Sequence, residues 1–163
     1  MTTDKLDRIL AQWQREKPGL DCTPMAVIGR LIQVHGHLER ELQQVFAAHG
    51  LPPGGFDVLA TLRRAGAPFQ LSPNQLLEWM MITSGTMTHR LDLLEKAGLV
   101  SREANPADGR SVLITLTALG LAKVEQVLPI HLDNERRLLK ALSGRQQQQL
   151  SALLRQWLIA LKN

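Results

Sequence analysis

Apolar residues recur along most of this chain at intervals of three and four, the spacing of helices that bury one face. Over 4–17, Leu6, Ile9, Leu10 and Trp13 share such a face until Pro18-Gly19 ends the run, which predicts a first helix. A longer helix follows, with Thr23 as N-cap and Pro24 in the first helical position. Its stripe of Ile28, Leu31, Ile32, Leu38, Leu42, Val45 and Phe46 reaches Gly50. Leu51-Pro52-Pro53-Gly54-Gly55 breaks the pattern, and Phe56, Val58, Leu59 and Leu62 mark a short helix that stops near Gly66. Ser72-Pro73-Asn74-Gln75 then joins an N-cap, a proline at the first helical position and the glutamine of a capping box, opening a helix through Trp79 and Met80. After a turn over 82–85, Met87, Leu91 and Leu94 stand at i, i+4 and i+7 of a helix running from Ser84 to Lys96, with Gly98 as its C-cap.

The period changes over 99–117. Val112, Ile114 and Leu116 alternate with less constrained neighbours, and Asn105-Pro106-Ala107-Asp108-Gly109 supplies a turn, so this stretch predicts a β-hairpin. Helical spacing then returns. Thr117 caps a helix carrying Leu121, Val124, Leu128 and Leu132, kinked at Pro129. Ser143 and Gln146 form a second capping box before a final helix with Leu150, Leu153, Leu154, Trp157, Leu158 and Leu161. The fold class is mainly α with a small β-hairpin.

Composition narrows the function classes. The 163 residues suit one domain, and although 44% are apolar they never run on for a membrane span. The N-terminus MTTDKLDRILAQWQREK lacks the apolar block of a signal peptide, so the expected location is cytoplasmic. Cys22 is the sole cysteine, which excludes an intrachain disulfide and a thiolate zinc cluster. His35 and His37 are two apart and face different ways on a helix, so no metal site is expected. Neither a nucleophile beside a base nor a phosphate-cradling glycine loop is visible, and the chain is read as neither an enzyme nor a cofactor carrier. A net charge of +4 favours a polyanionic partner, yet six Lys/Arg face five Asp/Glu between Arg63 and Arg110. Charge permits nucleic-acid binding without demanding it.

The order of elements says more. Two short helices joined by a turn form the unit that sets its second helix into the DNA major groove. The early residues of that helix, Ser84, Thr86, Thr88, His89 and Arg90, are small, hydroxylated or basic, fit for phosphate and base-edge contacts, while Met87, Leu91 and Leu94 face inward. The hairpin directly after it presents Arg110 at its tip, where a narrow minor groove attracts arginine, and Asp108 is placed to orient that side chain. An alternative use of the same unit is a protein-interaction module without DNA binding.

The run LLEKAGLVSRE followed by PADGRSVLITLTALG resembles the core of the MarR (multiple antibiotic resistance regulator) family, with its D-x-R wing at Asp108 and Arg110 and its L-T-x-x-G at Leu116, Thr117 and Gly120. The resemblance implies a bacterial winged helix-turn-helix homodimer on double-stranded DNA. One MarR-type domain would span 1–163, with an added helix at 1–18, dimerisation helices at 24–50 and 118–162 and the reader head at 55–117. Many members carry consecutive arginines at the wing tip, whereas Gly109 precedes Arg110 here.

The added helix is similar to that of the urate-responsive, PecS-like branch. There a tryptophan, an aspartate and two arginines act together, matched in order by Trp13, Asp57, Arg90 and Arg102. An indole face can stack on a flat purine, Arg90 can pair with its charge and Asp57 can accept a ring N–H. Urate or a related aromatic anion is thus the expected effector, releasing a repressor from a pseudo-palindromic operator. The rival regulatory mode is oxidation of Cys22, which precedes a helix N-terminus that favours a thiolate.

Overall fold

A computed structural model describes residues 3–80, 87–106 and 108–162, and of 108–110 only the backbone. Contacts divide the chain into two compact units, 1–43 and 44–163. The elements in chain order are α1 (Lys5–Glu16), α2 (Thr23–Ala48), α3 (Gly55–Arg64), β1 (Gln70–Leu71), α4 (Pro73–Trp79), α5 (Met87–Lys96), β2 (Val100–Asn105), β3 (Asp108–Leu116), α6 (Ala118–Leu138), a single turn of 3-10 helix (Leu139–Ala141) and α7 (Gly144–Ala160). No described helix is long and apolar enough to cross a membrane.

In the first unit, α1 starts at a capping box in which the Asp4 carboxylate accepts the Asp7 N–H and the Asp7 carboxylate accepts that of Asp4, both at 2.8 Å. The same two carboxylates receive Arg30 of α2, at 2.8 Å from Asp4 and 2.5 Å from Asp7. The hydrogen bond from Arg30 holds the Asp4 carboxyl below its ordinary pKa. Leu6, 6% exposed, packs on Gly29 between these helices. The sequence places the N-cap of α2 at Thr23; instead the helix begins with Thr23, whose N–H is taken by the Asp21 carboxylate at 2.9 Å. Asp21 is two residues further from the proline than Thr23, and its carboxylate accepts the free N–H of Thr23.

The second unit holds the main core. Val58, Leu59 and Leu62 of α3, Leu76 of α4, Leu94 of α5, Ile114 of β3 and Val124 and Val127 of α6 are wholly buried. Each such side chain contributes roughly 1.5–3 kcal/mol on leaving water, so the α3 stripe, with its period of three and four, fixes the centre of the head. The Ser72–Gln75 capping box is present as the sequence predicts, with Pro73 at the first helical position.

The hairpin is part of a three-stranded antiparallel sheet in the order β1-β3-β2. The added strand pairs Gln70 with Thr115 and Leu71 with Ile114. A two-residue strand shows no alternation, so the sequence carried no sign of it. On β3 the alternation holds for Ile114 and Leu116, which are buried, whereas Val112 towards the tip is 42% exposed because the core does not extend that far. The β2–β3 register shifts between Ala104 and Asn105.

Thr117 joins sheet to helix. Its hydroxyl donates to the Gly98 carbonyl at 2.7 Å and accepts the Gly120 N–H at 2.9 Å. A Cβ at Gly120 would lie 1.9 Å from the Leu99 carbonyl oxygen, so only glycine fits. This is the physical content of the L-T-x-x-G motif: a cap, and a residue without a side chain where the helix crosses the chain entering β2. Downstream, α6 continues as one helix through Pro129.

Candidate nucleic-acid interface and effector pocket

The reader helix is positioned from its buried side. Met87, Leu91 and Leu94 of α5 are the buried residues, as the i, i+4, i+7 spacing predicts. Thr88 and His89 are exposed on the other side. Ser84 and Thr86 lie outside the described residues, and so do the side chains of Asp108 and Arg110.

Arg90 does not share the outward face of Thr88 and His89. At about 100° per residue it stands about 40° from Leu94, and its side chain, 20% exposed, turns toward α3. There Gly54, with φ 69°, makes room: a Cβ at this position would sit 2.3 Å from the guanidinium carbon. The Arg90 Nη1 atom is 4.0 Å from Asp57 Oδ2, an ion-pair separation beyond hydrogen-bond reach, and this buried nitrogen has no hydrogen-bond partner. Asp57, in the first turn of α3, is the residue its burial alternation leaves between Phe56 and Val58, both in the core. Burial pushes its carboxyl above the ordinary pKa, opposed by the charge of Arg90 and then of His131.

His131 of α6 is a member of this group that sequence reasoning missed. Its ring packs at 4.7 Å from Phe56 and 5.3 Å from Phe46, and the two phenyl rings stack at 4.5 Å. Its Nε2 lies 3.3 Å from Glu135 Oε1, while Nδ1 is buried without a partner. Local spacing carried no signal, since His131 comes near α3 only through the packing of α6 on it. Their mutual approach is tertiary.

Arg102 lies in β2 at the base of the wing. Its guanidinium forks onto Asp92 and Glu95 of α5, 2.6 Å to each, rather than toward Asp57. The Asp92 hydrogen bond is the main cause of its raised pKa. Asp92 and Glu95 are one helical turn apart on the exposed flank of α5, so Arg102 clamps the base of the wing to the reader helix. Trp13, 41% exposed, belongs to the first unit, with Ile9, Gln12, Arg15 and Glu16 around its open surface. Cys22 is buried at 6% exposure. His35 and Glu39 form an exposed pair at 3.9 Å, and no group able to hold a metal occurs among the described residues.

The MarR family model matches residues 49–111, the reader head from the end of α2 to the wing. Over 146 residues the chain is 44% identical to the HTH-type transcriptional regulator PecS of Dickeya dadantii, covering 90% of this chain and 88% of that protein. The chain belongs to the MarR family. Membership makes it a transcriptional regulator and not an enzyme. Among solved structures it is similar to Sco3205, a MarR family regulator of Streptomyces coelicolor in complex with DNA, with TM-score 0.79, 26% identity and coverage of 88% of this chain and 91% of that one. It is also similar to BpsR of Bordetella bronchiseptica, whose DNA binding is regulated by 6-hydroxynicotinic acid, with TM-score 0.71, 26% identity and coverage of 81% and 98%. The MarR winged-helix fold is thus shared, with α4 and α5 as its helix-turn-helix and β2–β3 as its wing.

Proposed function

We propose that this MarR-family regulator binds double-stranded DNA as a homodimer in the bacterial cytoplasm and is released from its operator by urate or a related flat aromatic anion. The observation that carries the DNA part is the division of α5: a buried stripe fixed in the core, and Thr88 and His89 free to meet phosphates and base edges. The contacts expected from the sequence at Ser84, Thr86 and Arg110, with Asp108 as the partner of Arg110, are proposed to complete the interface. The similarity to Sco3205, described in complex with DNA, supports the same use here.

The effector part is supported by the buried, unsatisfied guanidinium nitrogen of Arg90 facing Asp57. A desolvated donor without a partner costs about 1–3 kcal/mol, which an anion recovers on binding. Trp13 enters on the sequence resemblance, as an aromatic face for a planar ring. Arg102 is assigned here to coupling, since it ties the wing to α5 rather than facing Asp57. Because Arg90 is rooted in the reader helix, a ligand that draws on it changes the pose of α5, and operator DNA must weaken ligand binding by the same factor. BpsR, regulated by 6-hydroxynicotinic acid, is a fold relative whose effector is a flat aromatic acid.

The test is a mobility-shift assay on DNA upstream of the protein's own gene, at two salt concentrations, followed by a urate titration. Wild type releases DNA; Trp13→Phe and Asp57→Asn release it poorly while still binding operator; Cys22→Ser behaves as wild type. Release by peroxide that depends on Cys22, with urate inert, replaces the purine reading with the redox one, against which the burial of Cys22 counts. Failure to shift DNA at either salt concentration leaves the protein-interaction module.

A further inference from the structure

Among the described residues, two buried side-chain nitrogens lack a hydrogen-bond partner: Arg90 Nη1 and His131 Nδ1. Arg90 Nη1 is 4.0 Å from the Asp57 carboxylate, and His131, whose ring packs at 4.7 Å on Phe56, is near enough for its charge to act on Asp57. Buried polar atoms are paired in most proteins, so two orphans in one locality mark a place where a partner is missing. Their chemistry is complementary. A guanidinium nitrogen only donates, whereas in the neutral imidazole that carries its proton on Nε2, the nitrogen 3.3 Å from Glu135 Oε1, Nδ1 accepts. Donor and acceptor together match a ring edge on which an N–H stands next to an oxygen.

We propose that His131 contacts the effector directly and sets its class: Nδ1 accepts a ring N–H while Arg90 Nη1 holds the neighbouring oxygen, so the site takes heterocyclic anions with such a lactam-type edge in preference to simple aromatic carboxylates. The inference rests on the effector reading of Asp57 and Arg90 given above, and adds a residue and a selection rule to it. The stacked Phe46 and Phe56 rings pack against the imidazole, which is tilted by 40° and 52° to them, and Glu135 Oε1 stands 3.3 Å from its Nε2. A site that hydrogen-bonds a ligand N–H discriminates against an analogue lacking it, because the acceptor is otherwise left buried and unpaired.

The experiment measures binding of urate, and of salicylate as a carboxylate without a ring N–H, to the full chain by calorimetry, with operator affinity in the absence of ligand as the check on folding. His131→Phe keeps an aromatic ring in the stack and removes Nδ1; it is expected to weaken urate binding at least tenfold and to leave salicylate unchanged. His131→Asn places an amide oxygen near the Nδ1 position and is expected to recover much of the urate affinity. Asp57→Asn separates the two levels of inference. Loss of urate binding in Asp57→Asn with none in His131→Phe overturns the role of His131 alone. No loss in either variant, or no urate binding by the wild type, overturns the effector reading with it. Equal weakening of urate and salicylate by His131→Phe assigns the histidine to packing and also overturns the proposal.

Discussion

Gly54 illustrates how a single residue serves both fold and site. Its φ of 69° is one that L side chains rarely adopt, and a Cβ there would enter the space of the Arg90 guanidinium, 2.4 Å from Nε. Gly54→Ala is therefore expected to cost about 1–2 kcal/mol in a urea melt from the backbone alone. It also swings Arg90 away from Asp57, so urate affinity falls with it; an unchanged urate isotherm in a folded variant would separate Arg90 from the pocket. Asp57 makes the opposite kind of prediction. Its folded pKa lies above the ordinary value of 3.8 because burial outweighs Arg90 and His131. A group raised in this way supplies stability below its unfolded pKa and loses it as pH rises through the folded value. Asp57→Asn should thus be at least as stable as wild type near pH 7, with its advantage shrinking toward acid. Denaturation midpoints at the two pH values check the sign; a variant weaker than wild type at pH 7 would make the Arg90 attraction dominant.

At the scale of elements, local chemistry and long-range packing divide cleanly. The capping boxes at Ser72 and Ser143 occupy the positions the sequence assigns, because a cap involves neighbours three residues apart and needs no tertiary information. The junction of β3 with α6 depends on both. Thr117→Ala removes a donor and an acceptor bond and is expected to lower stability by about 1–2 kcal/mol. Gly120→Ala drives a methyl into the Leu99 carbonyl and is expected to cost about 3 kcal/mol or more, beyond ordinary overpacking, since backbone must move. Comparable melting curves for the two variants would show that the sheet yields more easily than this packing allows. The wing clamp predicts a contrast between stability and function. Arg102 is 29% exposed and its carboxylate partners more so, so Arg102→Ala should change stability by less than about 1 kcal/mol. Operator affinity should nevertheless fall, because β2 is no longer tied to α5. Unaltered DNA binding with a folded variant would remove the clamp from the mechanism.

At the scale of the whole molecule, the apolar stripes of the long helices are not consumed within the chain. None of the described residues of α7 is buried, and Leu153, Leu158, Ile159 and Leu161 are each more than half exposed. On α2, Val27, Ile32 and Val34 are exposed to a similar degree. Exposed large apolar side chains in this number mark association, and the proposed homodimer would give them a partner in a second copy of the chain. Light scattering is expected to give twice the protomer mass of 18.2 kDa. Leu153→Glu with Leu158→Glu should yield monomers that bind operator weakly. Footprinting should show pseudo-palindromic half-sites about 10 bp apart. A stable wild-type monomer, or protection of one half-site, would contradict the dimer.

The helices, the caps at Ser72, Thr117 and Ser143 and the hairpin follow from the sequence alone, because periodicity and capping depend on residues within a turn or two of one another; the start of α2, where Thr23 is the first helical residue and not the cap, does not. The sequence also supplied the inward face of α5 and the glycine that lets α6 start beneath Leu99. Which polar side chains meet is set by long-range packing. Arg90 joins Asp57 because α5 packs on α3 through Gly54, and Arg102 turns instead to Asp92 and Glu95 because β2 runs beside α5. His131, far along the chain with no spacing signal, comes near α3 through its tilted ring contacts with Phe46 and Phe56. Side chains from separate elements come together by the burial of apolar surface, which has no direction along the chain; their juxtaposition is a property of the packed core.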